Sequence, residues 1–187
     1  MDFWAIKQLP PELIDVANAE FDALETYDAG IVGEMYVENA KIRYDHEQRN
    51  STLRTADFDH WFAGLMYYFG ISSNLKAEWN FKIDTHENMQ IADYAADQHF
   101  DWHMDVIPFS GPTDRKVTVI ALLADPTDYI GGKFQIMNPN NDKELITIPL
   151  QKGMMVAFPS ALKHRVTKVT AGVRRSATLW LDGPCYR

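Results

Sequence analysis

Cysteine, basic charge and long apolar runs are all scarce in this chain of 187 residues. Its single cysteine, Cys185, excludes an internal disulfide framework and a cysteine-based zinc cluster, and it is typical of a protein from a reducing compartment. The first residues, MDFWAIKQLPPEL, contain no basic segment followed by an apolar one, so they do not resemble a secretory signal. The apolar runs are too short to span a bilayer. The sequence therefore predicts a cytoplasmic protein with no membrane partner.

The net charge is −8, with an acidic excess in residues 1–110 and a basic excess in residues 111–187. A protein that binds nucleic acid needs a basic surface to neutralise the phosphates of the backbone. This chain is acidic, so nucleic acid is disfavoured as a partner. The basic C-terminal part suits an anionic small molecule, although most of its lysines are typical of a solvated face. Nothing in the sequence sets an oligomeric state.

Length and composition favour one packed domain over residues 1–187, with a hydrophobic content of 46% that can fill a core. Two stretches have helical spacing. The first, PPELIDVANAEFDALETY, repeats apolar residues every three or four positions: Leu13, Ala17, Phe21 and Leu24. The second, TADFDHWFAGLMYYFG, should begin at a cap, Thr55 or Asp57, and end at Gly70. Its stripe predicts packing against a sheet: Phe58, Trp61, Phe62, Leu65, Met66 and Phe69.

From residue 75 onward the hydrophobic period changes to two, which predicts strands. LKAEWNFKI (75–83) alternates in this way, and Gly131–Gly132 predicts a hairpin turn. Helical support over residues 1–72 followed by short strands over about 75–182 predicts a mainly β barrel or sandwich. The further strand-like runs are MQIADY (89–94), KVTVIALL (116–123), KFQIM (133–137), ELITIPL (144–150), MMVAF (154–158), HRVTKV (164–169) and RRSATLWL (174–181).

His103 and Asp105 are separated by one residue, so in a strand they would project to the same face. A third ligand from another strand would complete a triangular face of two histidines and one carboxylate, which is typical of non-haem Fe(II) oxygenases. His164 opens a predicted strand and is the candidate for that place. His99, four residues before His103, and the neighbouring Trp102 are candidates for contact with a substrate. The other histidines, His46, His60 and His86, favour surface or structural roles.

Arg174 opens the last predicted strand, and a basic side chain that projects into an apolar barrel needs an anion. A guanidinium binds a carboxylate through two parallel hydrogen bonds, so this residue suits a diacid. Ser176 and Thr178 alternate with Arg174 on one face of the strand, which places a hydroxyl beside the arginine.

These residues belong to an ordered set of motifs that resembles the 2-oxoglutarate- and Fe(II)-dependent oxygenases, over about residues 90–182. The resemblance is closest to the prolyl 4-hydroxylase-like branch, which includes the bacterial PKHD-type hydroxylases. Each motif is a weak signal alone, but their order makes the set specific. The motifs are Tyr94-x-x-Asp-Gln-x-Phe100-x-x-His103-x-Asp105, Tyr129-x-Gly131-Gly132-x-Phe134, Gly153-x-x-Val-x-Phe158-Pro159-Ser160, His164-x-Val166 and Gly172-x-Arg174.

The resemblance implies a double-stranded β-helix (a jelly-roll, cupin-like core) with N-terminal helices on one sheet. It implies hydroxylation of an unactivated C–H bond with Fe(II), 2-oxoglutarate and O2, release of succinate and CO2, and ascorbate as a reductant. The implied substrate is a prolyl residue in a protein or peptide. The resemblance implies that the Fe(II) ligands are His103, Asp105 and His164. It implies that Arg174 binds the distal carboxylate of 2-oxoglutarate and that Tyr94 and Val166 line the cosubstrate pocket. Trp180 would border the substrate opening.

The chain departs from the family pattern at two places. Many relatives have glycine at the position of Asp97. Animal prolyl hydroxylases have Tyr-Leu-Asn where this chain has only apolar residues, 121–124, so the tyrosine hydroxyl that would help to bind 2-oxoglutarate is missing. Alternative functions are hydroxylation of a free amino acid or other small molecule, a zinc hydrolase, and a non-catalytic cupin-like binding domain. Residues 26–54 and 106–115 are predicted to form loops that select the substrate.

Overall fold

The computed structural model describes most of the chain, namely residues 3–29, 31–32, 42–43, 45–106, 113–141 and 143–185. Within these ranges there are two α-helices, α1 (Pro11–Phe21) and α2 (Trp61–Lys76). The strands before α2 are β1 (Ala5–Gln8), β2 (Tyr27–Asp28), β3 (Ile31–Val32), β4 (Ile42–Arg43), β5 (Arg49–Asn50) and β6 (Thr52–Ala56). The strands after it are β7 (Thr85–His86), β8 (Met89–Tyr94), β9 (His99–His103), β10 (Thr113–Leu122), β11 (Tyr129–Gly131), β12 (Phe134–Met137), β13 (Leu145–Ile148), β14 (Met154–Pro159), β15 (His164–Val166), β16 (Val169–Gly172) and β17 (Arg174–Pro184).

The strands form a large and a small antiparallel sheet. The large sheet has the order β1-β14-β10-β17-β8-β6-β2, with β7 beside β17, and the small sheet has the order β13-β12-β15-β9-β5. Two short pairs, β11–β16 and β3–β4, lie outside them. From β8 onward the chain alternates between the sheets: β8, β10, β14 and β17 are in the large one, and β9, β12 and β15 are in the small one. This alternation confirms the predicted mainly β fold with a jelly-roll core.

Two apolar clusters hold these layers together. One lies between the helices and the outer face of the large sheet, and the other lies between the two sheets. The first cluster includes Ile14, Phe21, Phe62, Met66, Ile91, Val119, Leu179 and Leu181. The second includes Tyr94, Ile120, Leu122, Phe134, Ile136, Phe158 and Val166. The large sheet is therefore buried on both faces, which explains the nearly continuous apolar run in β10.

Both predicted helices are present, but the predicted caps of α2 are wrong. Thr55 lies in β6, and Asp57 precedes the turn that leads into the helix. The helix instead begins after His60, whose Nδ1 accepts a hydrogen bond from the backbone N–H of Phe62 at 3.2 Å. α1 starts at Pro11, where the missing N–H costs no helical hydrogen bond. No helix in the described part of the chain is long and apolar enough to cross a membrane.

The predicted apolar faces of the helices are only partly correct. In α1 the predicted Ala17 and Phe21 are buried, but the third buried side chain is that of Ile14, whereas Leu13 is exposed. In α2 the sheet-facing positions are Phe62 and Met66. Three members of the predicted stripe are exposed instead: Phe58, Trp61 and Leu65.

Gly70 does not end α2, as the sequence suggested, but lies in its interior against the sheet. A Cβ atom at this position would lie 2.7 Å from Cδ2 of Leu181 and 2.9 Å from Cγ2 of Val119. The glycine therefore permits a close approach of the helix to the sheet, which accounts for its presence inside a helix despite its low helix propensity.

The predicted strand over residues 75–83 is wrong, because α2 extends into it and a folded loop follows. The Asn74 side chain donates to the Phe81 carbonyl at 2.9 Å and accepts from the Phe81 N–H at 3.0 Å. Glu78 and Asn80 have φ values of 58° and 54°, which an extended strand cannot contain. The alternating apolar side chains of this stretch still pack beneath α2: Trp79, Phe81 and Ile83.

The remaining differences concern boundaries. The β-helix begins at β8 rather than near residue 75, and β6, within the predicted helical support, joins the large sheet. The run 164–169 is two strands, β15 and β16. The glycine pair was predicted to form a hairpin turn, but β11 pairs with β16 and β12 pairs with β13 and β15. Of the predicted substrate loops, 26–54 contains β2 to β5 and the start of β6, and 113–115 belong to β10. Residues 33–41 and 107–112 lie outside the described part.

Candidate metal centre

The small sheet brings His103, Asp105 and His164 together. His103 ends β9, His164 opens β15, and the two residues are paired in register across these antiparallel strands. Asp105 follows two residues after β9. One donor atom from each side chain lies within 4.8 Å of the others. The Nε2 atoms of the two histidines are 3.6 Å and 3.5 Å from the Asp105 carboxylate oxygens.

Hydrogen bonds to backbone carbonyls set the tautomers of both histidines. Nδ1 of His103 lies 2.7 Å from the Asp101 carbonyl, and Nδ1 of His164 lies 2.8 Å from the Leu162 carbonyl. A carbonyl can only accept, so each Nδ1 carries the proton and, in the neutral ring, each Nε2 has a free lone pair. Burial, reinforced by the neighbouring His164, lowers the pKa of His103 from 6.5 to about 3. This imidazole is therefore neutral at neutral pH.

Asp105 is held in place from the large sheet. The hydroxyl of Thr118 in β10 donates to Oδ2 of Asp105 at 2.7 Å and also contacts the Ser160 hydroxyl at 2.9 Å. Burial alone would raise the pKa of Asp105, but His164, His103 and Arg115, together with the Thr118 hydrogen bond, lower it below the ordinary value. The carboxylate is therefore ionised at neutral pH.

The chemistry of this donor set fits a divalent metal ion. Two imidazole Nε2 atoms and one carboxylate converge, and these are donor types that bind divalent metal ions. Their remaining hydrogen-bonding atoms are fixed by the carbonyls and by Thr118, as is usual for metal ligands. Two histidines and one carboxylate are the ligand set typical of a mononuclear Fe(II) site with open positions.

A pocket between the two sheets extends from these donors to Arg174. Arg174 is 1% exposed, and no carboxylate in the described residues lies within ion-pair distance of it. Its Nη1 donates to the Ser176 hydroxyl at 2.9 Å, whereas its buried Nη2 has no hydrogen-bond partner among the described residues. Burial lowers the pKa of Arg174, and Tyr94 and Tyr129 oppose this effect. A buried guanidinium with an unused donor is the arrangement expected of an anion site.

The other residues predicted for this site line the same pocket. The ring of Tyr94 lies under the Arg174 guanidinium, 5.6 Å from ring centroid to Cζ. Val166 is buried on β15, beside His164. Thr178 lies one inward position beyond Ser176 on β17, and Trp180 lies the next position beyond that, so the inward face of this strand runs from the arginine to the indole.

Asp97, where many relatives have glycine, lies in the turn before β9. Asp97 has a φ of 68°, the left-handed conformation that favours glycine and that aspartate tolerates. Its N–H donates to the Val169 carbonyl at 2.8 Å. The turn before β9 therefore keeps a glycine-like backbone.

His99 and Trp102 do not line the pocket. A register shift occurs between the pairs His164–His103 and Val166–Phe100, so three residues of β9 oppose two of β15. This bulge puts Phe100 rather than His99 on the face of His103, and the Phe100 and His103 rings stack at 3.5 Å between centroids. His99 lies 2.9 Å from the Glu47 carbonyl, and Trp102 stacks under Arg165. The geometry thus gives no support to a substrate role for either residue.

Two arginines that lie over pocket-lining rings were not predicted, and one of them, Arg49, lines the pocket itself. Arg49 on β5 is 7% exposed, donates to Gln90 at 2.6 Å, and lies over the Phe100 ring. Arg115 on β10 lies 3.8 Å above the Trp180 ring and forms two hydrogen bonds with the Glu87 carboxylate. The sequence offers no signal for either residue, since Arg115 stands between Asp114 and Lys116, before the predicted apolar run.

Comparison with known proteins finds a family and a shared fold. The family model of the 2OG-Fe(II) oxygenase superfamily matches residues 89–182, half of the chain. A PKHD-type hydroxylase from Paraburkholderia xenovorans is 31% identical over 84 residues, which are 45% of this chain and 36% of that protein. The chain thus covers only about a third of that relative's length.

Solved structures with similar folds include two prolyl hydroxylases. A prolyl-4-hydroxylase from Pseudomonas putida aligns with a TM-score of 0.74 and 18% identity, over 97% of this chain and 93% of that chain. A prolyl hydroxylase from Trichoplax adhaerens, in complex with a peptide fragment of the hypoxia inducible factor oxygen degradation domain, aligns with a TM-score of 0.67 and 18% identity, over 97% and 84%. At this low identity the two similarities show a shared fold.

Proposed function

The chain belongs to the 2OG-Fe(II) oxygenase superfamily, and we propose that it is an Fe(II)- and 2-oxoglutarate-dependent hydroxylase acting on a prolyl residue of a protein or peptide. The observation that carries this proposal is the placement of three metal-type donors and a buried arginine with an unused donor in one pocket. A structural role does not explain the arginine, because a buried cation without an anion costs several kcal/mol.

Each residue has a role that follows from its contacts. His103, Asp105 and His164 hold the metal, and Thr118 orients the Asp105 carboxylate. Arg174 binds the distal carboxylate of 2-oxoglutarate, with Ser176 fixing its guanidinium. The remaining pocket-lining residues enclose the cosubstrate and exclude water: Tyr94, Val166 and Thr178. The bound metal, with 2-oxoglutarate and O2, supplies the oxidising power that inserts one oxygen atom into a C–H bond and releases succinate and CO2. Ascorbate is proposed as the reductant that maintains Fe(II).

The substrate side of the pocket is the end at Trp180. Its ring is covered on one face by Arg115, which Glu87 holds through two hydrogen bonds of 2.5 Å and 2.7 Å. The buried indole N–H has no hydrogen-bond partner among the described residues. An apolar ring with one free donor suits a prolyl residue, whose ring is apolar and whose carbonyl accepts. The similar fold of the Trichoplax protein, whose structure contains a peptide, supports this choice.

Arg49 favours a second candidate, the hydroxylation of a free amino acid or another small carboxylate. This guanidinium is nearly buried beside Phe100, and no carboxylate within the described ranges lies within ion-pair distance of it. Its hydrogen bonds to Gln90 and Ser51 are to neutral groups. A substrate carboxylate would supply the missing anion, whereas a prolyl residue within a peptide has none.

Anaerobic titration of the protein with Fe(II) and 2-oxoglutarate tests the proposed chemistry. The expected result is a weak visible metal-to-ligand charge-transfer band that saturates with both ligands. A zinc hydrolase and a non-catalytic cupin-like domain would not produce this band. Its absence at saturating Fe(II) and 2-oxoglutarate would overturn the proposal.

A succinate-release screen with prolyl peptides and with free amino acids tests the substrate, and mass spectrometry should detect one added oxygen atom in the product. The variant Arg49→Met separates the two candidates. For a small carboxylate substrate we expect its KM to rise about tenfold or more, because a charged hydrogen bond is lost. For a prolyl peptide we expect a smaller change, and 2-oxoglutarate affinity should be unaffected in both cases.

A further inference from the structure

We propose that a groove between β1 and α2 binds an extended acidic segment of a partner protein, which adds as a strand to the free edge of the large sheet. The groove lies on the helix-facing side of this sheet and encloses about 380 Å³. β1 and α2 form its walls, and the buried Met155 of β14 lies at its base. None of the residues that line it lines the pocket of the metal donors. The inference therefore goes beyond the proposed function and does not depend on it.

The strand β1 is an edge strand with backbone groups that face away from the sheet. It ends the large sheet, and β14 is its only strand neighbour in the part of the chain that the structure describes. The Leu9 N–H continues the pairing with β14 by donating to the Gly153 carbonyl at 2.9 Å. Backbone groups of successive residues in a strand point to opposite sides, so Ile6 and Gln8 present theirs to the free edge. An open edge of this kind is a template for an added strand.

The groove offers apolar contacts to the side chains of such a strand. The helix α2 contributes Leu65, Tyr68 and Phe69, which follow the spacing of one helix face. Leu65 is 36% exposed and Tyr68 is 74% exposed, although the sequence predicted Leu65 to be buried. The volume lies within the range of ligand sites, roughly 300–1,000 Å³. This face of α2 can therefore bury apolar side chains of a bound segment.

The charge of the groove favours an acidic partner. The charged residues that line it are Lys7 on β1 and Lys76 in the last turn of α2, and both are exposed. The ion pairs formed by lysines in the described ranges involve other residues: Lys82, Lys116, Lys152 and Lys168. Two cations without a carboxylate partner thus stand in the half of the chain that is acidic overall. Carboxylates of a bound segment would complement them.

The same charges disfavour a second copy of this chain as the occupant. Pairing of β1 with β1 of another copy would bring two further lysines to the edge, and like charges at an interface oppose association. A segment in which acidic and apolar residues alternate avoids this repulsion. It would form backbone hydrogen bonds with β1, place apolar side chains in the groove, and present carboxylates to the lysines.

Binding of a short synthetic peptide tests the proposal. The probe is a blocked, dye-labelled peptide in which glutamate and valine alternate, and its fluorescence anisotropy is measured as the protein is added. We expect saturable binding that weakens as salt is added. The same peptide with lysine in place of glutamate should bind about tenfold more weakly or worse. A version with a fully N-methylated backbone, which cannot donate main-chain hydrogen bonds, should show a similar loss.

Two variants test the two parts of the groove. Lys7→Glu combined with Lys76→Glu should raise the Kd of the acidic peptide about tenfold at low salt, since two attractive pairs become repulsive. Lys133→Glu combined with Lys143→Glu is the matched control, because it changes the net charge equally at exposed lysines outside the groove. Ile6→Pro should cause a comparable loss, because it removes an N–H from the free edge and keeps the pairing with β14.

Several outcomes would overturn the proposal. They are a wild-type protein that does not bind the acidic peptide, equal binding of the acidic and basic peptides, binding of the N-methylated peptide, and an unchanged Kd in the Lys7→Glu, Lys76→Glu variant. If Ile6→Pro lowers the melting temperature of the peptide-free protein, the N-methylated peptide decides the role of the edge. Dimerisation of the peptide-free protein that Ile6→Pro abolishes would assign the edge to a second copy and overturn the proposal as well.

Discussion

The two faces of β17 have opposite chemistry although one strand forms them both. On β17 the side chains that face the helices are apolar and fully buried: Ala177, Leu179 and Leu181. The side chains of the same strand that face the small sheet line the pocket: Arg174, Ser176, Thr178 and Trp180. Successive residues of a strand point to opposite faces, so one segment contributes to both environments.

This comparison indicates that β17 places its packing residues on one face and its pocket-lining residues on the other. The helix-facing side has apolar contacts, each contributing about 1.5–3 kcal/mol per large buried side chain. The pocket-facing side keeps a buried cation and three converging donors, which in the absence of ligands weaken the fold. Stabilising packing on the first face offsets the cost of the second.

The largest effect is expected on the pocket-facing side, from His103→Ala. Loss of one of three metal ligands should lower turnover by at least about a thousandfold, equivalent to about 4 kcal/mol in the activation free energy. The free energy of unfolding of the metal-free protein should change by roughly 1 kcal/mol only, because the side chain has no packing role on the helix side. Succinate release and urea unfolding measure the two quantities. Wild-type-like succinate formation at controlled Fe(II) would contradict the ligand role.

The next largest effect is expected on the helix-facing side, from Leu179→Ala. Removal of this fully buried side chain should reduce the free energy of unfolding by about 2–5 kcal/mol. The folded protein should retain wild-type affinity for 2-oxoglutarate, because Leu179 does not line the pocket. Thr178→Ala, its pocket-facing neighbour, is the matched control and should cost less stability. A loss of 2-oxoglutarate affinity in folded Leu179→Ala would break the separation between the faces.

The smallest effect is expected at Asp182, a buried carboxylate near the end of β17. Burial and the Glu87 carboxylate raise the pKa of Asp182 from 3.8 to about 6. Because the folded state then binds more protons than the unfolded state, stability is greatest below pH 4 for this group and falls as the pH rises through 6. Asp182→Asn should remove this decline, a gain on the order of 1 kcal/mol at pH 8 after allowance for solvent screening.

Unfolding of wild type and Asp182→Asn across pH 4 to 8 checks this prediction, since their difference isolates the one carboxyl group. Asp84→Asn is the control, because Asp84 is nearby but more exposed. A stability difference that does not change with pH would show that the environment of Asp182 does not favour its protonated form.

Much of the β core could be predicted because its strands are long and strongly patterned. The run 89–94 coincides with β8, and the run 154–158 differs from β14 by one residue. The stretch 75–83 was wrongly predicted as a strand, because the apolar side chains of a loop packed under a helix also alternate with polar ones. Asn74 closes this loop through hydrogen bonds that the hydrophobic pattern does not encode. Similarly, even spacing suggested that His99 shares the face of His103, but the β9 bulge shifts the inward positions by one residue.

The sequence by itself determined the types of donor and their order along the chain: two histidines, a carboxylate and an arginine on strands of a mainly β domain. Only the tertiary structure decided which atoms converge, because that depends on strand register and on side chains far apart in sequence. His103 and His164 meet through pairing across β9 and β15, and Thr118 reaches Asp105 from the opposite sheet. Local patterning sets which face a residue occupies, whereas long-range packing sets what that face meets.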